Sequence, residues 1–269
     1  MKKFQDRVAV VTGAGGGLGL AMSVELARRG ADLALVDVSE ERLLETAAAV
    51  GTEGRRASLH TVDITDRARL RALVDEVLAE HGRVHMLFNN AGVAAFCPFV
   101  DQSLEDFDWV MDVNFMGAVA ATKFFLPVLL EQEEGHIVNV ASLAAMVGMP
   151  NQAAYSATKS ALHAFSEALH GELDQTRVNV TSVLPGAVAT GIAQRARGKE
   201  GRKQVIEAMI EKARDPAEVA AEVVRAVERE KFELVVCRDA KGVRLVSRLA
   251  PSAVRWAYAW AERNGRMGG

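Results

Sequence analysis

The chain has 269 residues, of which 49% are hydrophobic and 25% charged, with a formal net charge of −3. This length suits one α/β domain with a large core and falls short of two domains of ordinary size, and the composition is that of a soluble globular protein. A pI near 6.1 lacks the basic footprint of a nucleic-acid-binding domain, which argues against a nucleic-acid partner.

The opening MKKFQDRVAVVTGAG carries two lysines, but its apolar run lasts only from Val8 to Val11 before glycines interrupt it, which argues against a signal peptide. No uncharged apolar stretch approaches the roughly 20 residues of a membrane-spanning helix, so no integral membrane segment is expected and the cytosol is the expected compartment. Short β-branched runs then alternate with longer amphipathic stretches, the pattern of strands buried on both faces by crossover helices. The predicted strands are Val8–Thr12, Asp32–Asp37, Ser58–Val62, Met86–Asn89, His136–Ala141, Asn179–Leu184 and Leu234–Cys237. The predicted helices are Gly19–Arg29, Glu40–Val50, Asp66–His81, Leu104–Glu131, Ala153–Asp174 and Pro216–Glu230.

Ser39, Asp66 and the Asp215-Pro216 pair supply helix start signals. Seven strands so spaced predict a doubly wound, Rossmann-type parallel sheet with helices on both faces. No repeat or linker divides residues 1–240, and 241–269 reads as a helical extension of the same domain. Thr190 to Lys212 reads as a mobile surface loop with a short helix. Cys97 and Cys237 have no CxxC or histidine-rich company, so neither a metal site nor, in a reducing compartment, a disulfide is expected.

Directly after the first strand comes Thr12-Gly13-Ala14-Gly15-Gly16-Gly17-Leu18-Gly19, and a helical pattern begins at once. Such a turn lets the backbone approach a pyrophosphate, and the following helix offers it unpaired N–H groups and a partial positive charge. Gly13, Gly17, Leu18 and Gly19 are therefore candidate cofactor-binding residues. Asp37 ends the second strand about 20 residues on, where a dinucleotide fold places an acid on the adenosine ribose diol. A carboxylate there accepts from the 2′-hydroxyl of NAD and repels the 2′-phosphate of NADP, and the loop offers no Arg or Lys to bind such a phosphate, so NAD is expected. The competing role for Asp37 is to cap the Ser39-Glu40 turn.

Tyr155 and Lys159 lie at i and i+4 in a helical pattern and project from one face. A phenol with a pKa near 10 is a poor base at neutral pH, and a neighbouring ammonium group stabilises its phenolate. Alone, such a pair equally describes a solvated helix face. Together with Thr12-Gly13, Gly17 and Gly19, with Asn89-Asn90-Ala91-Gly92, with Ser142 and with Pro185-Gly186, however, it makes five ordered motifs, and through them residues 5 to 240 resemble the short-chain dehydrogenase/reductase family.

The resemblance implies that Tyr155 is the general acid/base of a hydride transfer between a nicotinamide and a substrate carbon. It implies that Ser142 hydrogen-bonds the substrate oxygen, that Lys159 also binds the nicotinamide ribose, and that Asn114 holds a water linking Lys159 to solvent. It further implies adenine contacts from Asp63 and Ile64, Asn90 along the adenosine ribose, Asn89 bracing the sheet, and Val188 and Thr190 at the nicotinamide carboxamide. Thr190 could instead cap a loop helix. Homodimers or homotetramers through the helices at 104–131 and 153–174 are also implied.

Substrate loops in such sheets lie beyond the carboxyl ends of the strands. Here Ala94, Ala95, Phe96, Leu143, Ala144, Met146, Val147, Met149 and Ala187 predict an apolar pocket for a hydrophobic secondary alcohol or ketone, unless they serve the core or a subunit contact. The tail places Leu245, Leu249, Trp256 and Trp260 near one helix face flanked by arginines, which suits a partner subunit, a lid or a membrane surface. An NADPH-dependent 3-oxoacyl-type reductase and a non-catalytic NAD-binding sensor remain the alternative functions.

Overall fold

A computed structural model describes residues 4–198 and 213–236, together with the single tail positions Val246, Ala250, Ser252, Trp256 and Trp260. The strands in chain order are β1 (Val8–Thr12), β2 (Asp32–Asp37), β3 (Ala57–Thr61), β4 (Met86–Asn89), β5 (Ala95–Phe96), β6 (Gly135–Val140), β7 (Val178–Pro185), β8 (Arg197–Gly198) and β9 (Glu233–Val236). The helices are α1 (Gly17–Arg28), α2 (Glu40–Thr52), α3 (Arg67–His81), α4 (Leu104–Met111), α5 (Gly117–Leu130), α6 (Ala153–Leu173) and α7, which spans Pro216–Glu228. Seven strands form one parallel sheet in the order β3-β2-β1-β4-β6-β7-β9, and β5 pairs with β8 apart from it.

Alternation along each strand sends successive side chains to opposite faces, and each face has its own core. Val11, Leu33, Phe88, Val138 and Val183 pack under α1, α2 and α7 through Met22, Leu43 and Val223. Val10, Ala34, Leu87, Ile137 and Val180 pack under α3, α5 and α6 through Leu73, Phe125 and Leu169. Each of these side chains larger than alanine contributes about 1.5–3 kcal/mol by leaving water, which is why strands apolar on both faces are held between two helical layers. Ser39, Asp66 and Asp215 cap their helices as expected, accepting from Arg42, from Ala68 and Arg69, and from Ala217.

Two expectations change. The single helix predicted over Leu104–Glu131 is interrupted by a π turn at Asp112–Met116, closed by Gly117 N–H donating to Asp112 O five residues back. Among the described residues, 104–130 is the one helical stretch long and apolar enough to cross a membrane, yet its Val110, Ala121, Phe125 and Leu129 are buried within the fold. The loop predicted from Thr190 onward lies only partly at the surface in its described part: residues 191–195 form turns, Gln194, Arg195, Arg197 and Gly198 are exposed, and Ala193 and Ala196 are buried. Residues 199–212, Cys237, Leu245 and Leu249 lie outside the described residues; Trp256 and Trp260 are helical, with exposures of 63% and 39%.

Candidate active site

The carboxyl ends of β1, β2, β3, β4, β6 and β7 open into one groove with a cavity volume of about 680 Å³. At one end β1 turns into α1, whose N-cap Gly16 has no side chain to cap it, and Gly17 and Leu18 of its first turn line the groove beside Gly13. A Cβ on Gly19 would run into the Gly13 carbonyl oxygen and the Asn90 amide, so only glycine lets α1 lie this close to the turn. Thr12 Oγ1 accepts from Asn90 N–H at 3.1 Å and Ala91 N–H at 3.2 Å. Asn90 Nδ2 donates to Thr12 O at 3.0 Å and Gly13 O at 3.1 Å. The Asn90 side chain is thus a staple for the glycine turn, although the residue also lines the groove.

Asp37 takes the turn-capping role weighed for it. Its Oδ2 accepts from Gly15 N–H at 3.0 Å, holding the turn, and its Oδ1 accepts from Ser39 N–H at 3.1 Å. Sequence reasoning missed two cations beside it. Arg42, from the first turn of α2, places Nη2 3.6 Å from Asp37 Oδ1, and Arg195 lines the same groove. Loss of water at the groove wall and then the like charge of Arg42 pull the Arg195 pKa below the ordinary guanidinium value, with Asp37 opposing. The glycine loop itself carries no cation, but helix and loop neighbours bring cations to it.

Asp63 lines the groove with Oδ1 accepting from Thr65 N–H at 2.9 Å and Thr65 Oγ1 at 2.8 Å, and Ile64 packs over Gly117. Val188 bridges to Arg214, and Thr190 packs on Gly17; both line the groove. Asn89 braces the sheet, its Nδ2 donating to Asn139 Oδ1 at 2.8 Å and Thr122 Oγ1 at 2.9 Å.

At the other end stand the four residues predicted for chemistry. Ser142, just past β6, and Tyr155, in the first turn of α6, hydrogen-bond through their hydroxyls. Ser142 Oγ also accepts from Ala144 N–H at 3.1 Å. Lys159, one turn below Tyr155 and buried, donates to Val140 O at 2.8 Å, with Nζ 5.7 Å from the Tyr155 ring centroid. Asn114 sits in the π turn and clasps Val93, accepting from its N–H at 2.7 Å and donating to its carbonyl at 2.9 Å. Gly92 lies between Asn114 and Lys159: a Cβ there would be 3.4 Å from Asn114 Oδ1 and 3.5 Å from Lys159 Nζ.

Burial pushes the Tyr155 phenol above its ordinary value, against the pull of the Ser142 bond, and pushes Lys159 down to about 8. Both shifts disfavour the charged form. The ammonium group alone therefore does not make Tyr155 a base here; at neutral pH the protein holds it as an acid with Lys159 still mostly charged.

Of the residues predicted to line the pocket, Ala94, Phe96, Leu143, Met149 and Ala187 do so; Ala95, Ala144 and Val147 are buried in the surrounding packing, and Met146 packs against the cluster of Ala141, Leu143, Leu184 and Val235 instead. Trp109, Val113, Pro150 and Ile192 also line it and were not foreseen, because α4 and the 190–198 segment reach the site only through tertiary folding.

Residues 7–201 match the family model described as short chain dehydrogenase. SadH of Mycobacterium tuberculosis is 36% identical over 260 residues, covering 94% of each chain. A short-chain dehydrogenase/reductase from Burkholderia phymatum, solved in complex with NAD, superposes with a TM-score of 0.89 at 29% identity over 94% of this chain and 96% of that one. An alcohol dehydrogenase from Thermococcus sibiricus, complexed with 5-hydroxy-NADP, gives 0.74 at 28% identity over 86% and 95%.

Proposed function

The chain belongs to the short-chain dehydrogenase/reductase family, and on that premise we propose that this oxidoreductase moves a hydride between NAD(H) and a hydrophobic secondary alcohol or its ketone. The carrying observation is the pairing of the Tyr155 and Ser142 hydroxyls above a buried Lys159, at one end of a groove whose other end is a capless helix N-terminus beside Asp37.

The groove fits a dinucleotide. Gly19 lets α1 pack directly against the glycine turn, and the first-turn amides of α1 would hold the diphosphate. Asp37 would receive the adenosine ribose, Asp63 and Ile64 the adenine, and Val188, Thr190 and Lys159 the nicotinamide end, with Asn90 keeping the turn in shape. When bound, the nicotinamide supplies or accepts the hydride, and in its oxidised form a positive charge. In ketone reduction Tyr155, held protonated by burial, donates its proton to the substrate oxygen while Ser142 donates a second hydrogen bond to that oxygen. In alcohol oxidation Tyr155 must first lose its proton, and Lys159 stabilises the phenolate that remains. Asn114, fixed to Val93, holds the relay from Lys159 toward solvent.

The apolar walls, with Phe96, Leu143, Met149 and Ile192, favour a hydrophobic substrate. One observation favours a second reading, an NADPH-dependent reductase of the 3-oxoacyl type: Arg42 and Arg195 stand beside Asp37 and could meet a 2′-phosphate. Asp37, with two backbone donors already fixing its carboxylate, keeps NAD the preferred cofactor. The complete tetrad argues against a non-catalytic NAD sensor. We place the protein in the cytosol as a homodimer or homotetramer formed through α4, α5 and α6, with residues 1–240 as one domain and 241–269 as its extension.

The deciding experiment is a screen of purified protein with NAD against steroid, aryl carbinol, hydroxyacyl thioester and sugar alcohols, read by NADH absorbance. Turnover of apolar secondary alcohols is expected; activity with sugars alone, or with NADP in preference to NAD, would overturn the substrate or cofactor reading respectively.

A further inference from the structure

Residues 190–198 cross the groove as a strap that is fixed at both ends. At its start Ala189 N–H donates to Arg214 O at 2.9 Å. At its end β8 pairs with β5, with Arg197 N–H donating to Ala94 O at 3.0 Å. Gly198, at φ +122°, lies so close to the Phe96 backbone that any side chain would collide with Phe96 O. Between these ends Ala193 and Ala196 are buried against Ala94 and Phe96, and Ile192 and Tyr155 pack on the same cluster.

A two-residue ladder is too short to hold a strap by itself. The side chain of Arg197 supplies another attachment. Its guanidinium carbon lies 4.0 Å from the centroid of the Trp109 ring, and its Nη1 donates to Asp106 Oδ1 at 2.9 Å. Asp106 and Trp109 are three residues apart on α4, so both face the strap from one side of that helix. Trp109 is itself a wall of the cavity, and α4 continues into the π turn that carries Asn114. One guanidinium therefore joins the strap over Tyr155 to the helix leading to Asn114.

We propose that Arg197 is a positioning residue for the alcohol: by stacking on Trp109 and pairing with Asp106 it sets the outer wall of the cavity and holds Ile192 down beside Tyr155. The inference rests on the proposed action of Tyr155 on an alcohol in this cavity. The pair with Asp106 is half-exposed, with side-chain exposures of 45% and 28%, so salt weakens it. The stack depends on the planar guanidinium and is lost in lysine. The two attachments can therefore be separated.

The test uses the full chain with Trp256→Phe and Trp260→Phe, which leaves Trp109 as the one tryptophan of three. Arg197→Ala is expected to raise KM for the best alcohol of the screen about three- to tenfold, change kcat less than twofold, leave the NADH Kd within twofold, and shift Trp109 emission to the red. The parent's KM should rise between about 0.05 and 0.5 M NaCl, Arg197→Ala should lose that rise, and Arg197→Lys should restore it without restoring the emission. Unchanged KM and emission in Arg197→Ala, or an NADH Kd that moves in step with KM, overturns the proposal. Should Arg197→Ala not fold, a salt-independent KM in the parent together with parental emission in Arg197→Lys overturns it equally. If no alcohol turns over, the proposed function fails, while Trp109 emission still reads the clasp.

Discussion

At their carboxyl ends the strands open into a groove lined by Tyr155, Lys159 and the first turn of α1; at their amino ends the same strands are sealed by buried histidines and an ion pair. His85 Nδ1 accepts from Val8 N–H at 3.1 Å, and His136 Nε2 bonds Thr181 Oγ1 at 2.8 Å, while Arg7 closes that edge on Glu134 at 2.7 Å. Burial first, with Arg7 and Arg83 adding to it, pushes His85 down to about 4, and burial pushes His136 down to about 3. At the opposite edge the same physical cause raises Tyr155 and lowers Lys159. Loss of water thus makes the amino edge inert and the carboxyl edge reactive; the difference lies in whether a cavity adjoins the shifted group.

The comparison makes changes at one edge alter turnover and changes at the other alter stability. Tyr155→Phe is the most severe test: turnover should fall about 10³-fold or more in steady-state assays, with NADH binding by fluorescence and the melting temperature unchanged. A parallel loss of stability would erase the distinction. Asp37→Ala should lower kcat/KM for NADH about 10- to 100-fold, as expected for lost charged hydrogen bonds, and NADPH should lose less because Arg42 and Arg195 remain.

The pH dependence sharpens both edges. Oxidation needs deprotonated Tyr155 and reduction needs it protonated, so kcat/KM for the alcohol should rise with pH while that for the ketone falls. Lys159→Met should move the midpoint upward by about 1 pH unit. At the amino edge the folded imidazoles titrate below their unfolded value, so their stability is complete above about pH 6.5 and is lost as pH falls toward 4. The expected slope is about 1.4 kcal/mol per pH unit for each histidine, read from urea midpoints. His136→Gln should flatten that slope and leave turnover at pH 7 alone; an unchanged slope would remove His136 from the account.

How far these features could be read in advance depended on how local they are. Strand ends agree with the sequence to within one residue because parallel strands buried on both faces appear as bare apolar runs between helical patterns. Gly13, Asp37 and Ser142 were legible because each directly ends or follows a strand. The π turn at Asn114 was not, since its apolar spacing is that of the helices on either side. Arg42, Trp109 and the pair Ile192 and Arg197 meet the site from three separate segments, and β5 and β8 are too short to carry a periodic signal. Asn90 shows the reverse case, a site residue whose side chain is spent on holding the glycine turn.

The central place of β1 in the sheet has a consequence for biosynthesis. β1 pairs with β2 on one side and β4 on the other, yet β2 and β3 leave the ribosome before β4 exists. At about 5–20 residues per second, residues 38–85 take roughly 2–10 s to make, and for that time one edge of β1 has no strand beside it. An apolar strand with a free edge is a template for pairing with other chains. The stretch up to residue 85 is therefore where a slowed or truncated translation product would aggregate, before any of the catalytic residues has been synthesised.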